Sequence, residues 1–328
     1  MRSIARLLLI VAVCGVASAG ALADPIALTT TAVPLDPGNP VRTGVGGLVF
    51  RGGLIVQSPD ARFGGWSDLR VSRDGARLTA ISDHGFWLQT RLIYDAAGTL
   101  TGLADADLGV LIDTAARRVS GRRGDAEGLT DSPDGGFYVS FERDHRVWLY
   151  PPAQPPFSLP PRAVAMPPRA ADMPDNGGIE ALLHLADGRL LMLSEELRDG
   201  DENVGWLRDT AGWHEIHYHA ADNYKPTGLA ELPGAGTAGG DVLVLERRFT
   251  FLSGMGARIV RVPMAALQGG AHLAGDELAK LQLPLTVDNF EGLAATPGPA
   301  GAVRLYLISD DNYTVLQRTL LLMFDYKP

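Results

Sequence analysis

Cysteine is nearly absent from the 328 residues, and the single one, Cys14, sits in an apolar run close to the start. Disulfides, cysteine-ligated zinc and thiol catalysis are therefore excluded from the body of the fold. Lysine is almost as scarce: only Lys225, Lys280 and Lys327 occur, so nearly all the positive charge is guanidinium, which grips carboxylate or phosphate through a planar fork. Positive charge is also outnumbered, 29 Lys and Arg against 38 Asp and Glu, giving −9 and a pI of about 5.3. That excludes the electrostatic footprint of a nucleic-acid or anionic-lipid binder. Beyond residue 23 no stretch is long and uncharged enough to cross a membrane as a helix. Helical periodicity is missing except around Met264 to Leu267. No Gly-x-Ser-x-Gly elbow occurs, which argues against serine chemistry of the α/β-hydrolase kind.

What is present begins with Arg2 and Arg6, an apolar run from Leu7 to Val16 and small residues ending at Ala21-Leu22-Ala23, the pattern of a secretory signal peptide over residues 1–23. The expected product is a periplasmic or secreted monomer with no membrane span. Residues 24–43 read as an N-terminal extension and residues 44–328 as one domain.

Short β-branched and aromatic runs separated by Gly, Pro and Asp-Gly predict an all-β fold. Self-similarity at propeller spacing resolves five units, opening at Trp66-Ser67-Asp68-Leu69, Ala126-Glu127-Gly128-Leu129, Ile179-Glu180-Ala181-Leu182, Pro226-Thr227-Gly228-Leu229 and Phe290-Glu291-Gly292-Leu293. Each is followed by a turn and a second strand that ends in an acid: Asp83, Glu142, Glu195, Glu246 and Asp310. The expectation is a β-propeller of five blades, six being the alternative, closed by pairing Leu48 to Val56 with Leu320 to Tyr326.

Asp134-Gly135 and Asp187-Gly188 are read as two-residue hairpin turns, which would place Glu127 opposite Glu142 and Glu180 opposite Glu195; Asp74-Gly75 does the same for Ser67 and Ser82. Like charges facing each other repel, and a cation would resolve the conflict. Inner strands line a propeller's channel, so Glu127, Glu180 and Glu291, with Asp83, Glu142, Glu195, Glu246 and Asp310, are expected to ring one mouth. Oxygen donors of this kind suit calcium, or another hard divalent cation, better than zinc. The competing reading pairs the same acids with Arg143, Arg247, Arg248 or Arg318.

Several stretches taken together resemble a known family: Gly124-Asp125-Ala126-Glu127-Gly128-Leu129, Phe141-Glu142-Arg143, Asn176-Gly177-Gly178-Ile179-Glu180-Ala181, Leu245-Glu246-Arg247-Arg248-Phe249, Asp288-Asn289-Phe290-Glu291-Gly292-Leu293 and Ile308-Ser309-Asp310-Asp311-Asn312. They are similar to the phytase-like propeller family described as having esterase-like activity, over roughly residues 45 to 325. The resemblance implies a propeller related to calcium-dependent alkaline phytases that hydrolyses an ester or phosphate ester at an acidic, metal-bearing channel mouth.

Within that frame His84 and His145 are candidates for the general acid or base. Arg143, Arg247 and Arg248 are candidates to clamp phosphoryl oxygens, and Lys225 and Arg318 are further substrate-binding charges. The nucleophile would be a metal-activated water and the partner a small-molecule ester. Two alternatives stay open: a lactonase-like, metal-dependent propeller with a neutral substrate, and a non-enzymatic binding or scaffold propeller stabilised by calcium. His217 and His219 share one face of a strand, expected to be a solvated outer strand rather than a metal site.

Overall fold

Asp134-Gly135 and Asp187-Gly188 do close hairpins, but through loops of three residues. Ser132 N–H donates to the Gly136 carbonyl and Leu185 N–H to the Arg189 carbonyl (2.9 and 2.8 Å), while Gly135 and Gly188 take the left-handed φ values of 87° and 91°. This is the type I turn with a terminal left-handed glycine, a shape that asks for Gly after Asp. Each hairpin opens one sheet, and the computed structural model, which describes residues 23–234, 239–250 and 254–328, has five such sheets. The expected signal peptide, apart from Ala23, lies outside the described residues, as does part of the glycine-rich turn from Pro233 to Gly240.

The five sheets are the five blades anticipated from the repeat. Their innermost strands are Trp66–Val71, Ala126–Asp131, Ile179–His184, Lys225–Glu231 and Asn289–Pro297 (blades 1 to 5), and each packs beside the next around an axis, the last beside the first. Blade 5 is composite. Its inner strands come from the C-terminal end, and Leu320–Tyr326 pairs antiparallel with Leu48–Gln57, Leu320 facing Ile55 and Tyr326 facing Leu48. Residues 23–32 are built into the sheets too: Ala23–Ile26 edges blade 1 and Thr29–Ala32 edges blade 5, spanning the seam between them. Apolar residues on both faces of every sheet are buried between blades, with Trp66, Trp87, Trp206, Phe290 and Phe324 among the largest.

All five innermost strands carry a β-bulge at the same height. Pairing runs Trp66 with Ser82 and then Asp68 with Ile81, and likewise skips a residue at Glu180, Thr227 and Glu291; in blade 2 the skip falls at Glu127-Gly128. Ser67, Glu127, Glu180, Thr227 and Glu291 are thus extra residues with no partner across the sheet, re-aimed by the bulge. The glycine that follows is imposed by close approach. A Cβ on Gly128 would stand 2.7 Å from the Glu180 carbonyl oxygen, and one on Gly292 2.8 Å from the Asp68 Cα.

Below the bulges the channel is plugged by Arg70, which is 8% exposed. Its guanidinium donates to carbonyls of the other four blades: Leu129 (2.8 Å), Leu182 and Leu229 (3.3 Å each) and Leu293 (3.4 Å). Asp68, fully buried, accepts the N–H groups of Leu69 and Leu129, both at 2.8 Å. Burial pushes its carboxyl up to about 7 against the pull of Arg70. A buried polar group left without its hydrogen-bond partner costs about 1–3 kcal/mol. Arg70→Met, which takes the donor from four carbonyls at once, is therefore expected to lose at least about that much stability in urea unfolding.

Candidate functional site

The bulge and the turn together set the register at the channel mouth, and they overturn the predicted face-to-face carboxylates. The three-residue loops and the extra residue leave Glu142 opposite Asp125 (Glu142 N–H to Asp125 carbonyl, 2.9 Å) and Glu195 opposite Gly178 (2.9 Å), not opposite Glu127 and Glu180. The residue one past the pair that precedes each bulge then forms a ring: Asp83, Glu142, Glu195, Arg247 and Asp310. Blade 4 contributes an arginine where the others contribute an acid. Glu246 is displaced by one position and belongs to the sheet interior, where it accepts from Tyr218 Oη and Arg258 Nη1 at 2.7 Å each.

Glu127, Glu180 and Glu291 from the bulges and Asp83, Glu142, Arg247 and Asp310 from the ring enclose a cavity of about 640 Å³ at the mouth, with Asp125, Arg143, Asn176, Asn289 and Asn312 also in its lining. Seven carboxylates thus face two guanidiniums. Arg247 is held by Glu195 (3.0 Å), Glu291 (3.6 Å), Glu180 (3.9 Å) and Asn289 Oδ1 (3.1 Å). Burial works against its charge, but Glu291, Glu180 and Glu195 raise its pKa above the usual arginine value. The opposite side is less neutralised. Arg143 reaches Asp125 and, at 3.9 Å, Glu142, whose Oε2 accepts from the Gly177 and Gly178 N–H groups at 2.7 and 3.2 Å.

Burial, then carboxylate neighbours, governs the titration of this group. It pushes Asp83 up to about 8, with Asp310, Asp125 and Asp311 adding to the effect, and Asp310 to about 6. Glu127, buried beside Glu180, Glu142 and Asp125, and Glu180, buried beside Glu195, rise well above the glutamate range. Glu291 rises through burial in spite of Arg247.

Carboxylate oxygens of Asp125, Glu127 and Glu142 lie within 4.8 Å of one another, and Asp83 Oδ1 is buried with no hydrogen-bond partner among the described residues. An all-oxygen set with no cysteine or histidine fits a hard cation such as calcium. Asp199, Glu215 and His217 also cluster, on the outer strands of blade 3, but Arg169 bonds both acids at 2.9 Å.

Several anticipated residues stand apart from the cavity. His84 is exposed and stacks on Tyr313 with ring centroids 4.4 Å apart. His145 gives its Nε2 to the Pro174 carbonyl (2.9 Å) and packs behind Gly178. Arg248, next to Arg247 in a strand, projects to the other face and lies over the Tyr224 ring at 4.9 Å. Lys225 pairs with Glu196 and, at 3.3 Å, with Glu195, which sits behind the lining rather than in it. Arg318 is bound to Asp288 (3.0 Å) and the Val287 carbonyl (3.2 Å). Sequence reasoning missed Asp125, the residue directly before the Ala126-Glu127-Gly128-Leu129 opening, and Arg70. Aligning the five repeats would have found the latter, because Thr130, Leu183, Ala230 and Ala294 fill the same position elsewhere.

The sequence model of the family described as "Phytase-like: Esterase-like activity of phytase" matches residues 61–313. No curated protein matches the chain. Among solved structures, the catalytic domain of the Coprinopsis cinerea GH62 alpha-L-arabinofuranosidase is similar at 14% identity and TM-score 0.52, over 87% of this chain and 99% of that one. A gluconolactonase from Xanthomonas campestris has 14% identity and TM-score 0.45 over 92% and 99%. The PQQ-bound aldose sugar dehydrogenase from Streptomyces coelicolor has 15% identity and TM-score 0.42 over 92% and 99%. At these identities the likeness concerns the fold.

Asp83 near 8 and Asp310 near 6 lie above the roughly 3.9 of an unfolded aspartate, so between about pH 4 and 8 the folded protein binds more protons than the unfolded chain. Stability from these two groups is full at the acid end of that window and is lost as pH rises through it. In chelator the melting temperature is expected to fall between pH 5.5 and 8.5, and Asp83→Asn to flatten the upper half of the curve.

Proposed function

Because the chain belongs to the phytase-like family described by esterase-like activity of phytase, we propose that it is an exported propeller hydrolase that cleaves a phosphate ester or related ester at the acidic channel mouth. The observation that carries the reading is the Asp125, Glu127 and Glu142 group, three hard carboxylates within reach of one cation, beside the unpartnered oxygen of Asp83. Calcium held there would supply a Lewis acid and lower the pKa of water enough to make it a nucleophile near neutral pH.

The chain's own groups supply the rest. Arg143 and Arg247 bracket the cavity and present guanidinium forks to an oxyanion. Arg247, steadied by three carboxylates, is the preorganised one, and its buried Nε, 3.6 Å from Glu291, has no hydrogen-bond acceptor among the described residues. Burial and the neighbouring acids push Asp83 up to about 8 in the cation-free protein, which makes it the cavity's candidate to protonate a leaving oxygen; His84 and His145 are not part of the cavity lining. The surplus of carboxylates over arginines favours a second reading, a lactonase-like hydrolase with a neutral substrate. Inhibition by inorganic phosphate supports the first and its absence the second.

A ligand bound only by the native state stabilises it by about 2.7 kcal/mol at one hundred times its Kd. Calcium added after chelation is expected to raise the melting temperature by several degrees, to do so less in Glu127→Gln, and to switch on hydrolysis of p-nitrophenyl phosphate or acetate. No rise means that arginine satisfies the acids, and the metal-assisted reading falls. A rise without turnover of any ester leaves the scaffold reading.

A further inference from the structure

Between blades 4 and 5 a second hollow of about 460 Å³ adjoins the acidic cavity. Phe249, Met255, Thr314 and Gln317 line both, so a polar space and an apolar space lie side by side across the same four residues. Leu283, Val287 and Leu316 complete the apolar end. Three of its large side chains stand in water: Phe249 is 63% exposed, Leu283 68% and Leu316 90%. Arg318 also borders the hollow, but its guanidinium is committed to Asp288 and the Val287 carbonyl, so it offers no charge to a ligand. Exposed apolar groups of this size gathered beside a polar cavity mark a ligand groove.

We propose that this hollow holds the apolar acyl or alkyl arm of the substrate, whose reacting group lies in the acidic cavity. The substrate class is then an amphiphilic ester, not a polyphosphate. Two observations converge on it. The apolar hollow shares four lining residues with the cavity, so a molecule whose reacting group sits in one is placed to direct an arm into the other. The cavity sets seven carboxylates against two arginines, so each additional anionic group on a substrate meets repulsion, whereas an uncharged chain directed into the hollow does not. The proposal rests on the hydrolase reading for what happens at the polar end, but not for the binding of the arm.

Burying a methylene is worth about a three- to fourfold gain in affinity. The probe is a series of n-alkyl phosphonates from methyl to octyl, which cannot be hydrolysed, titrated by calorimetry into the calcium-loaded protein, with p-nitrophenyl esters of acetate to octanoate assayed in parallel. Affinity is expected to rise about three- to fourfold per methylene until the hollow is full, KM for the esters to fall in step, and both slopes to flatten in Leu283→Ser/Leu316→Ser. Both side chains are exposed, so the fold tolerates the change. A chain-length slope in binding without ester turnover keeps the arm site and removes the hydrolase reading. A flat series, a slope unchanged in the double variant, or a concentration-dependent dimer that the double variant abolishes would overturn the proposal, the last by assigning the hollow to a second copy of this chain.

Discussion

One guanidinium on the axis is the contact on which the ring depends. The innermost strand of a blade has a partner on one side only, and its other edge turns N–H and C=O groups toward the channel, where each must find a partner. Arg70 answers four blades at once by donating to Leu129, Leu182, Leu229 and Leu293, and Asp68 takes the Leu129 N–H beside it. Charge and counter-charge both come from blade 1, so the axis is neutralised from within a single strand, and the five inner strands share a common hub. Above that hub the bulges turn the strands outward, and the height of the acidic mouth follows from it.

The mouth itself is a contest between too many carboxylates and too few cations. Arg247 occupies the one ring position not given to an acid and gathers Glu180, Glu195 and Glu291 around it, leaving Asp125, Glu127 and Glu142 with only the flank of Arg143. Arginine pairing therefore takes one half of the cavity, and the proposed cation is left the other half. The raised pKa values of Asp83, Glu127 and Glu180 express the strain of the whole group, since burial and like charge act on them in the same direction.

Architecture was legible in the sequence because each blade opens with a local hairpin, written in blades 1 to 3 as apolar runs around Asp-Gly turns and in blades 4 and 5 around Gly- and Pro-rich stretches. Ring closure was legible because Leu48 to Val56 and Leu320 to Tyr326 each lacked a partner nearby. Register was not, because it depends on a three-residue loop where two residues looked sufficient and on a bulge that leaves no mark in composition. In blade 4 the acid stands one residue before the ring position, which is why Glu246 looked like a ring member while Arg247 is one. Adjacent arginines, 247 and 248, project to opposite faces of a strand, and only the register tells which faces the cavity. Arg70 escaped notice because an isolated arginine in an apolar strand carries no local pattern; its meaning lies in four carbonyls contributed by residues 59 to 223 positions away.

The composite blade has a consequence for the order in which the molecule can be made. Leu48–Gln57 precedes by more than 260 residues the strand it pairs with, Leu320–Tyr326. Until the two meet that edge has no mate, and blades 1 to 4 can form only as an open arc. Closure is a long-range event in which loop entropy is met before contact rewards it, a slow step for any chain. The unclosed protein is therefore a crescent with two unsatisfied ends, and its vulnerability to pairing with a neighbour of its own kind is concentrated in the interval before the two strands meet.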